Sequence, residues 1–309
     1  MIDTVSLTQP MTPRLSERQL MKIGAVQPRG QTQWVINPQK GQVFPSLTFT
    51  TIPTGVQYMI VRQSLPRLRN WHNATLQTSL NDIYAELGLL ANAIYERTRL
   101  EFDPLTASVN SVDFTRDIRV GHKLVTPTLK RLEQRQLLRH ERIRFDHAVK
   151  FQQKGGSSLI YSKYHEIHGK VKKGTIPLEY RVNALLAAHG VLRIESRLTR
   201  ASLERLRHKG ICKTRQAKDV LTPDISEHVI SKVLHELRFD DTLNDTQSNT
   251  ALDRLIEVYG SRSAMQLYGF LVMADLYGND FWKLESLKYS KSTYSNNLRK
   301  CREAGVWEV

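Results

Sequence analysis

Three short segments of this chain alternate polar and apolar residues with the period of a β-strand, and this pattern constrains the fold more than any other feature. The segments are Asn110–Thr115, Ser157–Lys163 and Leu192–Arg197. Successive side chains of a strand point to opposite faces. The alternation therefore predicts three strands, each with an aliphatic face and a face that carries chemically reactive residues.

The reactive faces combine acidic, phenolic and basic groups. The first strand carries Asp113, the second Tyr161 and Lys163, and the third Glu195 between two arginines. Mg²⁺ and Mn²⁺ prefer oxygen ligands, and one or two carboxylates with water and a substrate phosphate are sufficient. We therefore predict that Asp113 and Glu195 hold Mg²⁺ or Mn²⁺.

A tyrosine near such a cation suits phosphodiester transfer, because its phenolate can attack phosphorus and conserve the bond energy in a phosphotyrosine. Tyr161 is the predicted nucleophile. Lys163 would lower the pKa of the phenol or stabilise the charge at phosphorus. These groups on neighbouring strands indicate a metal-dependent enzyme that cuts DNA.

Each of these residues also has a structural interpretation. A strand tyrosine commonly packs with its hydroxyl hydrogen-bonded. Arg193, Glu195 and Arg197 would suit a ladder of ion pairs between strands. Asp113 would suit the cap of a turn. Spacing alone leaves both interpretations open.

Residues just after Tyr161 add two alternatives. Tyr164 has the opposite strand parity, so we interpret it as a packing residue, with a role as nucleophile left open. His165 and His168 would diverge on a strand and could hold a metal only on a helix. No two of the ten histidines are separated by a single residue, which disfavours nickases that use a His-hydrophobe-His metal motif.

The remaining pattern predicts an α+β fold with a mainly antiparallel sheet and packing helices. The predicted N-terminal strands are Ile2–Leu7, Trp34–Ile36, Leu47–Ile52 and Tyr58–Arg62. The predicted helices lie near residues 75–97, with Asn73 as cap, and near residues 121–139 and 201–209. The basic stretch Lys130–Arg144 is interpreted as a solvated helix face or as a surface that follows the DNA backbone.

We place a domain boundary at 212/213, between residues 1–212, which carry the reactive strands, and a helical region of residues 213–309. Residues 239–250 are polar and are predicted to form a loop or linker.

Residues 287–306 have the spacing of a helix-turn-helix. Tyr294, Leu298 and Cys301 would form its inner stripe, with Ser290 or Ser292 as cap. The outward residues suit phosphates and base edges, and we expect DNA contacts from Lys291, Ser295, Asn296, Arg299 and Lys300. An ordinary amphipathic helix with a solvated basic face is the alternative.

Composition narrows the partner and the compartment. The 45 Lys and Arg against 30 Asp and Glu give a formal charge of +15, which favours nucleic acid as partner. The two cysteines, Cys212 and Cys301, form neither a metal motif nor a disulfide framework, so a reducing cytoplasm is expected. No stretch reads as a signal peptide or a membrane span.

The segments Val112–Thr115, Leu159–Lys163 and Val191–Leu198 resemble, in this order, successive motifs of the filamentous-phage replication initiators of the gene II/X family. They are also similar to rolling-circle initiators of small plasmids. The resemblance covers roughly residues 100–305, together with the Met-Ile-Asp opening of the chain, and includes Phe281–Trp282. It implies nicking of the double-stranded origin through a covalent phosphotyrosine, rolling-circle synthesis, and rejoining of the displaced single strand, with a host helicase and polymerase as partners.

Carried over to this chain, the resemblance assigns Tyr161 as the nucleophile beside Lys163, and Glu195 and Asp113 as the acidic pair. We also expect DNA contacts from the two arginines that flank Glu195, Arg193 and Arg197. The rival hypothesis is a non-enzymatic origin-binding or transcription-regulating protein. A homodimer is compatible with the sequence, which does not define the oligomeric state.

Overall fold

The computed structural model describes residues 1–38, 43–70, 72–74, 76–77, 79–135, 137, 140–276 and 290–307. The chain divides into two compact units, Met1–Phe239 and Asp240–Val309. The first unit extends past the predicted boundary at 212/213, because a helix over residues 223–237 packs against two strands of its sheet.

The first unit is built on one antiparallel sheet of nine strands, in the order β2-β3-β4-β1-β5-β9-β8-β7-β6. The strands are β1 (Ile2–Pro10), β2 (Trp34–Ile36), β3 (Ser46–Thr51), β4 (Gln57–Ser64), β5 (Ser108–Arg119), β6 (Glu141–Phe145), β7 (Ala148–Gln153), β8 (Gly156–Ser162) and β9 (Val191–Thr199). Together with the helices below, this sheet confirms the predicted α+β class.

The helices of the first unit are α1 (Glu17–Lys22), α2 (Leu65–Asn70), α3 (Leu80–Thr98), α4 (His122–Leu132), α5 (Lys163–Lys172), α6 (Leu178–Ala188), α7 (Arg200–His208), α8 (Ala217–Val220) and α9 (Pro223–Leu237). Helix α3 begins at Ser79, whose side chain and that of Asp82 cap each other's backbone amides. The predicted cap at Asn73 is therefore wrong.

The two faces of the central strands differ in chemistry. Val112, Phe114, Ile160 and Ile194 are buried on one face, and α7 and α9 pack against β5 and β9. The opposite face carries Asp113 and the other polar residues predicted from strand parity. Helix α5 packs against β8 and β9, so this polar face is partly covered and the space that remains forms a cleft.

Some predicted elements are displaced or were missed. The helix predicted over residues 121–139 ends at Leu132, and β6 begins within the basic stretch that was interpreted as helical. Helices α5 and α6 replace what the sequence predicted as a direct connection between two strands. None of the helices in the described ranges is long and apolar enough to cross a membrane.

The second unit contains α10 (Phe239–Leu276), which is interrupted at Gly260, and α11 (Lys291–Glu303). Gly260 has a φ of 73°, which is accessible to glycine without strain. The core of this unit includes Leu255, Leu267, Phe270 and Cys301.

The loop or linker predicted over residues 239–250 is wrong, since α10 begins there. Phe239 and Thr242 are buried, whereas Asp240 and Asp241 are exposed in the first turn. Acidic residues at this end favour a helix through its dipole. The polar composition therefore belongs to a helix end rather than to a loop.

Candidate active site

The three reactive strands are neighbours, with β9 between β5 and β8. Asp113 pairs with Arg197 across β5 and β9, and Tyr161 pairs with Arg193 across β8 and β9. Directly paired residues of an antiparallel sheet project from the same face. The register therefore brings Asp113, Tyr161 and Glu195 to one face from positions far apart in the chain.

These three residues line one cleft of about 750 Å³, together with Asp3 of β1 and Asn73. The cleft combines acidic, phenolic and amide groups over the open face of the sheet. It can therefore accept a polar ligand next to the predicted nucleophile.

The hydroxyl of Tyr161 reaches this cleft but is largely enclosed. It donates a hydrogen bond of 2.6 Å to Glu195 Oε1, and the side chain is 8% exposed. Lys163 Nζ donates to the same hydroxyl at 3.5 Å. Burial, followed by the charge of Glu195, raises the pKa of Tyr161 well above its ordinary value. The net pKa of the phenol is thus raised even with the Lys163 ammonium 3.5 Å from the hydroxyl.

Lys163 is the first residue of α5 and is fully buried. Its Nζ donates to Asn73 Oδ1 at 2.8 Å and lies 2.9 Å from Glu166 Oε2. Burial, followed by repulsion from Arg193, lowers the pKa of Lys163 to about 8. The ammonium of Lys163 thus interacts with Asn73 and Glu166 as well as with Tyr161.

Glu195 is a carboxyl group of this cleft whose pKa lies near neutrality. Burial, followed by repulsion from Asp3, raises the pKa of Glu195 to about 7. A carboxylate with such a pKa can accept a proton near neutral pH and release it again. The hydrogen bond from Tyr161 therefore places a proton acceptor, the carboxylate of Glu195, next to the phenol hydroxyl.

Asp113 adds a second carboxylate. Burial raises its pKa, partly offset by Arg197. Its Oδ1 lies 3.1 Å from Arg197 Nε but accepts no hydrogen bond, because the two groups are misaligned.

The donor set fits a hard cation in part. No group of three or more His, Cys, Asp or Glu side chains in the described ranges is placed to hold a metal. Asp113 and Glu195 nevertheless supply the one or two carboxylates that Mg²⁺ needs when water and phosphate complete its shell. The buried Asp113 Oδ1 also has the free acceptor capacity that a cation would use.

Arg193, for which DNA contacts are predicted, is bonded within the protein. Its side chain is fully buried, and its Nε and Nη2 donate to the two carboxylate oxygens of Asp117 at 2.6 and 2.7 Å. It also donates to the backbone carbonyl of Asn73. Although burial acts the other way, the bond to Asp117 and the nearby negative charges raise the pKa of Arg193. The buried bonds of Arg193 therefore stabilise the structure beside the cleft. The side chain of Arg197, by contrast, lines the cleft and is 40% exposed.

Asp3 and Asn73 belong to the site and were missed from the sequence. Asp3 accepts from Ser64 and from Asn73, each at 2.6 Å. Asn73 thereby connects Asp3 to Lys163. The available signal for Asp3 was a charged residue within the predicted strand Ile2–Leu7. Asn73 gave none, because an asparagine before a helix more commonly caps it.

Tyr164 does not line the cleft and is half-buried on α5. Its ring packs among the rings of His122, His165, His168 and His189, with centroids 5.6 to 6.0 Å away. The segment with His165 and His168 is helical, as the alternative metal site required. These residues nevertheless form no metal group in the described part of the chain.

In the second unit the inner stripe of α11 is confirmed. Tyr294, Leu298 and Cys301 pack into its core, and Ser290 caps the helix. The predicted outward residues Lys291, Ser295, Asn296 and Arg299 are exposed, and Lys300 is half-buried with its Nζ 5.8 Å from the ring centroid of Tyr259. Residues 277–289, which include Phe281–Trp282 and most of the first predicted helix, lie outside the described ranges, so the helix-turn-helix stays a prediction.

Fold and cleft together define an α+β protein in which an open antiparallel sheet carries a tyrosine among carboxylates. The family model for the N-terminal domain of the phage replication-associated protein encoded by gene II matches residues 1–222. The chain belongs to this family of phage replication-associated proteins, which confirms the resemblance to the filamentous-phage initiators. No curated protein and no solved structure matches it.

Proposed function

We propose that this phage replication protein initiates rolling-circle synthesis by nicking one strand of the origin. The observation that carries the proposal is the hydrogen bond from Tyr161 to Glu195 in a cleft that Asp113 also lines. A phenol bonded to a carboxylate whose pKa lies near 7 is suited to proton transfer during nucleophilic attack.

In the proposed reaction Tyr161 Oη attacks the scissile phosphorus as its proton passes to Glu195. The new O–P bond joins the enzyme to the 5′ phosphate, and the bond from phosphorus to the 3′ oxygen breaks. That oxygen takes up a proton and leaves as the free 3′-OH that primes synthesis. Attack by a 3′-OH on the phosphotyrosine reverses these steps and rejoins a strand.

Asp113 and Glu195 would hold a Mg²⁺ or Mn²⁺ ion. This ion would polarise the non-bridging oxygens of the phosphate. Both carboxylates have raised pKa values, so binding of a cation would also offset the repulsion among the acidic groups of the cleft. Lys163 would stabilise the negative charge that accumulates at phosphorus during attack.

The substrate is origin DNA, in double-stranded and then single-stranded form. The excess of Lys and Arg favours a polyanion. Arg197 at the cleft would contact a phosphate near the scissile bond, and the exposed residues of α11 would bind the duplex. A host helicase and polymerase would act on the nicked product.

The test compares Tyr161→Phe with the matched control Tyr164→Phe, which removes a hydroxyl three residues away. The substrate is the supercoiled double-stranded form of the replicon that encodes the chain, with Mg²⁺ present. We expect open circles and a covalent protein–DNA adduct from the parent and the Tyr164 variant. Tyr161→Phe should form no adduct and should bind the origin with unchanged affinity.

An undiminished adduct from Tyr161→Phe would refute the assignment of the nucleophile. Specific, salt-sensitive binding without nicking by the parent protein in either Mg²⁺ or Mn²⁺ would favour the non-enzymatic origin-binding protein instead.

A further inference from the structure

A second cavity lies on the other face of the sheet from the candidate active site. It has a volume of about 530 Å³ and is walled by α7 and α9, with Ser158 of β8 and Ser196 of β9 at its floor. We call it the rear slot. Its volume falls in the range of small-ligand pockets.

The floor of the rear slot is polar where a sheet packed under helices is usually apolar. Ser158 and Ser196 are directly paired and are 7% and 5% exposed. Neither hydroxyl forms a hydrogen bond within the described part of the chain, and each lines the slot. The pair therefore places two hydroxyls at the floor of the slot, where they can bond a polar group of a ligand.

The walls are amphipathic. Leu206 and Val229 provide apolar surface, whereas Arg205, Lys209 and Lys232 bring positive charge. Glu236 is the one acidic residue among those that line the slot, 3.7 Å from Lys232. A nucleotide matches this arrangement, because its base needs apolar surface and its phosphate needs cations.

The rear slot adjoins the active-site cleft. Ser157 and Arg197 line both cavities. Both residues lie next to strand ends, since β8 begins at Gly156 and β9 ends at Thr199. A strand of DNA could therefore pass around the ends of β8 and β9 from the cleft into the slot.

We infer that the rear slot binds an unpaired nucleotide of the same DNA strand whose phosphate enters the cleft. This rests on the proposed function, because that function brings a single strand to the cleft. The shared lining at Ser157 and Arg197 favours a strand over a free nucleotide of the same chemistry.

The first test is the affinity of a fluorescein-labelled single-stranded 20-mer, measured by anisotropy in the Tyr161→Phe background. Lys209→Glu/Lys232→Glu should raise the Kd at least tenfold relative to Lys22→Glu/Lys218→Glu. The control pair makes the same change in net charge at exposed lysines that line neither cavity. Equal weakening by the two pairs would overturn the inference, since it would indicate only the general field of the protein.

The second test fills the slot without changing charge. Ser158→Leu, checked for folding by circular dichroism, should raise the Kd for the 20-mer by a similar factor. An unchanged Kd in the folded variant would overturn the inference. If this variant does not fold, the charge-reversal pair decides.

Two further arms separate the possible outcomes. Tighter binding of a free deoxynucleoside monophosphate than of the 20-mer, lost in the charge-reversal variant, would overturn the strand assignment in favour of a nucleotide site. Binding is measured without cleavage, so a protein that nicks no DNA can still bind through the slot. Failure of the proposed function and failure of this inference are thus distinguishable.

Discussion

At Glu195 the chain keeps a carboxyl group where ionisation is unfavourable. Burial and the neighbouring Asp3 raise its pKa to about 7, although the cleft is open to ligands. A stable fold alone would not need an acid at this position. The arrangement is typical of active sites, in which groups are held at a cost in stability because their reactivity is required.

This cost predicts a pH-dependent effect of Glu195→Gln on stability. An acid whose pKa is higher in the folded state binds more protons there, so its ionisation destabilises the protein as pH rises from about 4.5 to 7. The Gln variant should therefore have a larger free energy of unfolding at pH 8, by about 2 kcal/mol after allowance for partial exposure. The measurement is urea unfolding in EDTA.

The same comparison at pH 4 supplies the control, because Glu195 is then protonated in both states and the difference should vanish. A variant that is less stable than the parent at pH 8 would show that the carboxylate stabilises the fold. That result would exclude a raised pKa for Glu195 in the folded protein.

Strand parity identified Asp113, Tyr161 and Glu195 because a period of two places each side chain on a known face. The same argument could not predict the buried state of Arg193. Its salt bridge with Asp117 depends on the pairing of β5 with β9, which a single sequence does not contain. It also missed Asn73, whose partners lie elsewhere in the chain.

At the scale of elements, the backbones of β8 and β9 approach each other closely beside the cleft. A Cβ atom added at Gly156 would lie 2.6 Å from the carbonyl oxygen of Arg197. The backbones must therefore approach closely at the end of β8, next to the ion pair of Arg197 with Asp113.

Gly156→Ala should force these strands apart and lower the free energy of unfolding by about 2 kcal/mol. Cleavage should fall with it, because Arg197 moves. The matched control is Gly88→Ala in α3, where the added Cβ meets nothing within 4 Å and should stabilise by about 0.5–1 kcal/mol. Equal stability of the two variants, measured by thermal and urea unfolding, would contradict this account.

Long regular elements were predictable, whereas the sheet edge and one junction were not. The edge strand β6 and its neighbour β7 were missed, although Ile143 with Phe145 and Val149 with Phe151 have the spacing of a strand, because the basic stretch that includes most of β6 was interpreted as helical. The predicted second strand ends at Ser162 rather than Lys163, since Ser162 caps α5. Strand parity places Tyr161 and Lys163 on the same face, but it cannot locate the residue at which the strand ends and the helix begins.

At the scale of the whole molecule, the net positive charge and the exposed face of α11 should make different contributions to DNA binding. The net charge attracts any nucleic acid, whereas exposed polar residues on a helix can select a duplex site. Cleavage of a single strand in the cleft would not need α11.

Lys291→Glu should therefore weaken binding of the origin duplex about tenfold and leave cleavage of a single-stranded origin oligonucleotide within about twofold. Lys22→Glu makes the same charge change on α1 and should alter neither quantity beyond a general salt effect. Filter binding and gel-based cleavage measure the two quantities. Loss of single-strand cleavage in the Lys291 variant would contradict the proposed division.

The strand order has a consequence for synthesis on the ribosome. β9 is the last strand of the sheet to be made, yet it lies in the interior and joins β5 to β8. Until β9 emerges, the strands on its two sides share no backbone hydrogen bonds with each other. Asp113 on β5 and Tyr161 on β8 then lie in two unconnected parts of the sheet. Under the proposed function, a nascent chain would therefore lack nicking activity until β9 has paired with both of its neighbours.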